Sequence, residues 1–379
     1  MKILLICPEP IGKGGIGTYV YNIVSGFLSL NRKDIEIVLL MRGFPKEVPR
    51  EFSNLQIINI LGGLIKWYKE VTKFLLKNCK KIDWIEDSEF GASSYYACKL
   101  SKDVRKKLII RLHTNTKIVK FFEGKTGLFE QMKTKIIDHM ERYVTKNAKL
   151  VTAPSRAIAE IECIMWQISL EKLRIIPNPI KLPIDVSEKN IIAEEFGVED
   201  YVLYFGRLQK RKGIFDFISS INYVKNREIM FVIIGADPFN IKERIKRLLP
   251  RNLKDRIIFR DYLPRDKLMR VIKDAKVVVL PSLFENFSYT ILETMALGVP
   301  LITTNAGGTR EIITHLKNGF LIEPNKPKQI AKWINFVLDE RNRNFINKIR
   351  KNALNTARKF EAKKIARIYL KILEEEHTH

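Results

Sequence analysis

Short apolar runs of strand length alternate with longer amphipathic stretches along almost all of the 379 residues. A chain patterned in this way folds as parallel strands joined by crossover helices. The first series of runs is Lys2–Cys7, Ile35–Met41, Leu55–Ile60, Trp84–Ser88, Lys107–His113, Leu150–Ser155 and Leu173–Asn178. The alternation then stops at PNPIKLPIDVS, residues 177–187, whose three prolines block both helix and central strand and mark a linker. A second series follows: Tyr201–Gly206, Met230–Gly235, Arg256–Leu263, Val277–Ser282, Val299–Thr304 and Gly319–Pro324. The pattern predicts an α/β protein of two Rossmann-like halves.

From Lys326 onward the pattern is helical, and AKKIARIYLKILEEE places Ile365, Ile368, Leu370 and Ile372 near one apolar face. A hydrophobic fraction of 46% is enough for ordinary cores and too high for a disordered chain. The opening MKILLICPEP matches neither a signal peptide nor a membrane span. The four cysteines, Cys7, Cys79, Cys98 and Cys163, show no metal or disulfide spacing, which fits a reducing cytosol. Lys+Arg of 67 against Asp+Glu of 42 leaves +25, an excess that attracts nucleotides, nucleic acid or acidic lipid.

The chemistry concentrates in Leu280–Gly308, LPSLFENFSYTILETMALGVPLITTNAGG. Glu285 falls in the loop beyond a strand's carboxyl end, where parallel α/β sheets bind ligands, and Glu293 sits on the helix that follows. Acids near a helix N-terminus also complement its dipole without any further role. In YFGRLQKRKGI, Arg207 and Lys212 stand between a strand end and a helix that starts near Gly213, a setting that suits a diphosphate. Lys210 and Arg211, between them, read as solvated loop charges. GKGGIG spells the dinucleotide fingerprint with Gly12, Gly14 and Gly17, yet Pro8 to Ile11 intervene after the strand and the second strand ends at Met41-Arg42 without the ribose-binding acid.

The pair Glu285 and Glu293, with Gly307, Gly308 and Glu311 after it, resembles the E-x7-E element of the retaining group 1, family 4-like glycosyltransferases. Arg207 and Lys212 resemble that family's GRxxxxKG element. The resemblance covers nearly the whole chain and implies the GT-B fold: an acceptor-side domain over 1–180, a nucleotide-sugar-binding domain over 181–358, a central cleft, and a last segment, 359–379, that crosses back to the first domain. It further implies a nucleoside-diphosphate sugar such as a UDP-sugar as donor, with Glu285 and His113 at the reacting sugar and Glu293 on the ribose. Arg207 and Lys212 are implied on the diphosphate, together with the amides of Gly14 and Gly15. Asn286, Phe287, Ser288, Gly307 and Gly308 would then line the sugar. Asn286 and Ser288 stand where many relatives have glycine, and Lys181 where an aspartate often follows the PN element. Pro154-Ser155 and Asn178-Pro179 resemble cleft-lining PS and PN turns.

Two fixed cations replace a divalent metal in this reading, which expects no cofactor and finds no D-x-D pair in the chain. A nicotinamide-dependent dehydrogenase rests only on GKGGIG. A nucleic-acid binder rests only on charge, without a basic motif interleaved with aromatics, so no nucleic-acid partner is expected. In GLIKWYKEVTKFLLKNCKK, residues 63–81, Trp67, Val71, Phe74 and Leu75 share a face ringed by lysines. A similar mixture recurs in TKIVKFFEGK, residues 116–125. These segments suggest a cytoplasmic enzyme that is peripheral on the inner face of an anionic membrane, with a lipid-linked acceptor.

Overall fold

The computed structural model describes residues 1–43, 52–53, 55–124 and 127–377. It divides into two compact units, Met1–Lys181 with Phe360–His379, and Leu182–Lys359. The linker expected over 177–187 therefore contains the first boundary.

Seven parallel strands form the sheet of the first unit: β1 (Lys2–Cys7), β2 (Glu36–Arg42), β3 (Gln56–Ile60), β4 (Trp84–Ser88), β5 (Leu108–Arg111), β6 (Leu150–Ala153) and β7 (Leu173–Ile175), in the order β3-β2-β1-β4-β5-β6-β7. β1 runs between β2 and β4, with Ile3 opposite both Ile37 and Trp84. Its continuous ILLIC run is buried on both faces, as a strand covered by helices on two sides requires. Six strands form the sheet of the second unit: β8 (Tyr201–Phe205), β9 (Met230–Ile234), β10 (Ile257–Arg260), β11 (Val277–Leu280), β12 (Leu301–Thr304) and β13 (Phe320–Ile322), in the order β10-β9-β8-β11-β12-β13. In each sheet the order reverses beside the first strand, at β1/β4 and at β8/β11. Ligands of parallel sheets enter at that switch point, outside the carboxyl ends.

Two expectations about apolar faces are corrected. The helix Leu64–Asn78 turns Trp67, Val71 and Leu75 into the core, and the Trp67 indole donates to Ser93 Oγ at 3.1 Å. Its lysines point outward, and the face that Trp67, Val71 and Leu75 share is occupied by the core and is not available to a membrane. In the last helix, Ala362–His377, the buried row is Ala362, Ile365, Ala366, Tyr369 and Leu373 with Leu370, while Ile368 is exposed. Tyr369 takes a core place because its hydroxyl reaches the Glu86 carboxylate, a contact that apolar spacing cannot reveal.

This helix packs on Gly14–Ser29 at Gly26, where a side chain has no room. A Cβ on Gly26 would lie 2.4 Å from the carbonyl oxygen of Ala362 and 2.9 Å from Ala366 Cβ. Gly26→Ala is therefore expected to lower stability by about 1–3 kcal/mol in chemical denaturation, against its helix propensity, because backbone must move. Gly15→Ala, in the same helix with nothing within 4 Å, is the contrast and should gain up to about 1 kcal/mol. Equal responses of the two variants would refute the close packing.

Candidate active site at the carboxyl ends of the strands

In the second unit the switch point brings the β8 loop, residues 206–213, against the β11 loop, residues 281–288. Gly213 adopts φ +70° and its Cα side faces the carbonyl of Pro281, which a Cβ would approach to 1.9 Å. Only glycine lets the loops close to this distance. Lys212 Nζ then donates to Glu285 Oε1 at 2.6 Å. Burial lowers the Lys212 pKa below the usual lysine value, and Glu285 opposes that shift. Burial alone would raise Glu285, but the charges of Lys212 and Arg211 outweigh it and hold the carboxyl below its ordinary value. Buried charges need this mutual neutralisation.

Arg211 is not a solvated loop charge. It is half-buried, its guanidinium donates to the Phe284 carbonyl at 3.1 Å, and its own carbonyl accepts the Leu283 N–H at 2.8 Å. Lys210 is exposed, as expected, and so is Arg207. The Tyr204 hydroxyl braces the loop from beneath at the Lys212 carbonyl, 3.3 Å away.

The loop of the paired glycines closes the other side. Gly308 N donates to the Glu285 carbonyl at 2.9 Å, and Gly307, at φ +58°, would bring a Cβ within 2.1 Å of that oxygen. Asn286, Phe287 and Ser288 are buried around it, with Ser288 Oγ and Thr290 Oγ1 2.7 Å apart. Glu293 is only 5% exposed, on the helix Tyr289–Ala296. Its Oε1 accepts from Arg265, the first residue of the helix Arg265–Asp274 that follows β10.

In the first unit, the helix Gly14–Ser29 begins at the glycine loop after β1. The anion at that loop is the chain's own: Glu9 Oε1 accepts Gly17 N at 2.7 Å, and the carboxylate leaves no space for a side chain at Gly14. A diphosphate at Gly14 and Gly15 would have to displace Glu9 or share the loop with it. Gly15 is exposed.

β5 ends at Arg111, so His113 lies in the loop beyond the ladder and not at the strand end. Its ring meets Tyr19 edge-on at 5.4 Å between centroids. Burial, with the Arg111 guanidinium adding to it, pulls the imidazole pKa down to about 3. Three acids hold the backbone around it. Glu89 accepts His113 N at 2.6 Å, Glu162 accepts Asn115 N at 3.3 Å, and Glu141 accepts Thr116 N at 3.1 Å. Burial raises Glu89 to about 8 and Glu141 to about 7. The PS and PN elements each make a structural contact. Ser155 caps the helix Arg156–Trp166 through Ile158 N, and Asn178 Oδ1 accepts from Arg111 at 2.8 Å. Lys181 turns back to Tyr21 OH at 3.3 Å. Among the described residues no group of three or more His, Cys, Asp or Glu is placed to hold a metal ion, and no helix is long and apolar enough to cross a membrane.

Residues 187–359 match the family Glycosyl transferases group 1, and residues 13–182 match Glycosyltransferase Family 4. The chain belongs to the group 1 glycosyltransferases. It is 29% identical to an uncharacterized glycosyltransferase of Methanocaldococcus jannaschii over 57% of this chain and 58% of that protein, so the match spans little more than half of the relative's length. Its architecture is GT-B, similar to that of HepE from Anabaena, solved with UDP and glucose (TM-score 0.77, 19% identity, 99% of this chain and 100% of that one). WaaG, a glycosyltransferase involved in lipopolysaccharide biosynthesis, is similar at TM-score 0.74 and 15% identity over 98% and 99% of the two chains.

Several residues of this glycosyltransferase's candidate site carry no signal in the sequence. Arg265 lies far from any motif, and Glu9, Glu89, Glu141 and Glu162 look like ordinary surface acids until the fold seats Glu9 in the glycine loop and buries the other three. WIEDSE, with three acids in a buried strand and its exit, was the one hint for Glu89.

The depressed pKa of His113 has a sign that can be checked. Above the ordinary value of 6.5 the imidazole is neutral folded or unfolded and contributes nothing to pH dependence. Below it the unfolded chain takes the proton first, so the fold loses stability as pH falls from about 6.5 toward about 3. NMR of the His113 ring should show a neutral imidazole at pH 5, and His113→Gln should flatten the acid limb of the stability curve. A ring that titrates near 6.5 would contradict the burial.

Proposed function

We propose that this chain is a retaining glycosyltransferase that moves a sugar from a nucleoside-diphosphate sugar to an acceptor hydroxyl, in synthesis of an envelope polysaccharide, glycolipid or glycoconjugate. The observation that carries the reading is the Lys212–Glu285 pair at 2.6 Å, built at the sheet's switch point with Arg207 on the same loop. Such a site offers fixed positive charge to a diphosphate and a carboxylate to the sugar hydroxyls beside it. The UDP and glucose bound by HepE and the pathway of WaaG agree with this donor class and setting.

In this reading Arg207 and Lys212 receive the charge that builds on the departing diphosphate. Glu285 orients the sugar, Glu293 the ribose, and the loop of Asn286, Phe287, Ser288, Gly307 and Gly308 shapes the sugar pocket. His113, neutral at working pH, serves as a hydrogen-bond partner of the reacting sugar and not as a proton carrier. The acceptor proton passes to the leaving phosphate oxygen, which requires no second acid or base. Gly14 and Gly15 keep the loop after β1 thin. The test is turnover of UDP-, GDP-, ADP- and CDP-sugars, with the product's anomeric configuration read by NMR. Retention with activity unchanged by EDTA is expected. Inversion, or activity that EDTA abolishes and magnesium restores, would overturn the mechanism.

A membrane-presented acceptor fits a different surface from Leu64–Asn78. The helices Thr116–Glu123 and Leu128–Asn147 follow His113 and expose Phe121, Leu128, Phe129, Met132 and Ile136 at 62% to 80%. Lys125, between them, lies outside the described residues. At roughly 100° per residue the four side chains of the second helix span an arc of about 100°, flanked by Lys133 and Lys135. Apolar contact bordered by lysines suits an anionic bilayer, where each lysine contributes about 1 kcal/mol. Co-sedimentation with acidic but not neutral vesicles is expected, falling with salt and lost in Phe129→Glu/Met132→Glu. Unchanged binding in that variant would remove the face from the proposal.

A further inference from the structure

Glu293 is nearly buried on the helix Tyr289–Ala296, and its one ion pair among the described residues comes from outside any motif. Oε1 accepts from Arg265, while Oε2 has no hydrogen-bond partner among the described residues and is not among the buried unpartnered oxygens, so it remains within reach of solvent. The guanidinium side chain is 43% exposed and the carboxylate 7%, so the arginine is the more exposed partner of the pair. Arg265 reaches this position because β10 ends at Arg260 and the short segment Asp261–Pro264, exposed except at Leu263, leads directly into the helix Arg265–Asp274 at the carboxyl edge of the same sheet.

A carboxylate with one oxygen held and the other open is a fixed acceptor, and a ribose hydroxyl is a donor that can meet it. We propose that Arg265 is a positioning residue for nucleotide recognition: it neutralises and orients Glu293 so that the open oxygen meets the ribose diol, and thereby sets the preference for ribonucleotides over 2′-deoxyribonucleotides. This rests on the assignment of a nucleoside-diphosphate donor to this unit. The division of work between the two acids follows from their partners. Glu285 is held by Lys212, to which the diphosphate is also assigned, whereas Glu293 is held by Arg265, to which no part of the donor is assigned. An arginine suits that place better than a lysine, because its rigid fork fixes the plane of the carboxylate as well as its charge.

The test is calorimetry on the full chain with UDP, GDP, ADP and CDP, followed by the 2′-deoxy form of whichever binds. Wild type should prefer the ribonucleotide. Arg265→Ala should weaken it about ten-fold, the loss expected for one charge-assisted hydrogen bond, and leave the deoxynucleotide within about two-fold. Arg265→Lys should recover part of the difference. On a Glu293→Ala background, Arg265→Ala should have no further effect. Equal weakening of both nucleotides, no weakening of either, or additive losses in the double variant would each overturn the role. A wild type that binds none of the four nucleotides would instead overturn the donor assignment itself, and that failure is visible before any variant is made.

Discussion

Lys212 and Glu285 stand 73 residues apart in the chain and meet at 2.6 Å. The arrangement of the second unit's site follows from that contact. Neither charge is tolerated in so buried a position alone, since an unpaired buried ion costs several kcal/mol. The pair therefore fixes the spacing of the β8 and β11 loops. Glycine makes the approach sterically possible. Gly213 lets the first loop touch the Pro281 carbonyl, and Gly307 lets a third loop touch the Glu285 carbonyl from the far side. Charge supplies the attraction and missing side chains supply the clearance, and the sheet's switch point supplies the location.

The first unit solves the corresponding problem with acids in place of a cation. Glu89, Glu141 and Glu162 each accept a backbone N–H from the loop of residues 113–116. Burial raises their pKa values, and the same burial depresses that of His113. The two shifts have one cause, since a low-dielectric setting disfavours the charged form of an acid and of a base alike. The result is a neutral imidazole on a loop whose backbone three acids hold.

Side chains that look alike in sequence are sorted by what packs against them. The two lysine-bordered apolar segments, 63–81 and 116–125, read almost identically as text, and the helix Leu128–Asn147 follows the second. The first buries Trp67, Val71 and Leu75 while leaving Ile65 exposed, whereas the second and the helix after it expose Phe121, Phe129 and Met132. Trp67, Val71 and Leu75 share one face at spacing i, i+4 and i+8, and that row settles into the core. In the helix Leu128–Asn147 the exposed Leu128, Phe129, Met132 and Ile136 lie in the N-terminal half and the buried Met140, Glu141, Val144 and Thr145 in the C-terminal half, although Met132, Ile136 and Met140 form one row. The buried row there is partly polar, because Glu141 is needed to hold Thr116.

The sequence by itself determined what depends on local spacing. Runs such as KILLIC and VVVL are strands because only a doubly covered parallel strand accommodates continuous β-branched and leucine side chains. Prolines at 177, 179 and 183 stop the alternation, and Arg207, Lys212 and Glu285 occupy loops at the strands' carboxyl ends as their positions after those runs require. Only the tertiary structure decided which distant charges are neighbours. It tied Arg211 to the Phe284 carbonyl, placed Arg265 on Glu293, seated Glu9 in the glycine loop and aimed three scattered glutamates at one backbone turn. The reason is physical. Hydrophobic periodicity is written along the chain within a few residues, whereas an ion pair is defined by burial and by a partner tens or hundreds of residues away, and neither exists until the sheet has formed.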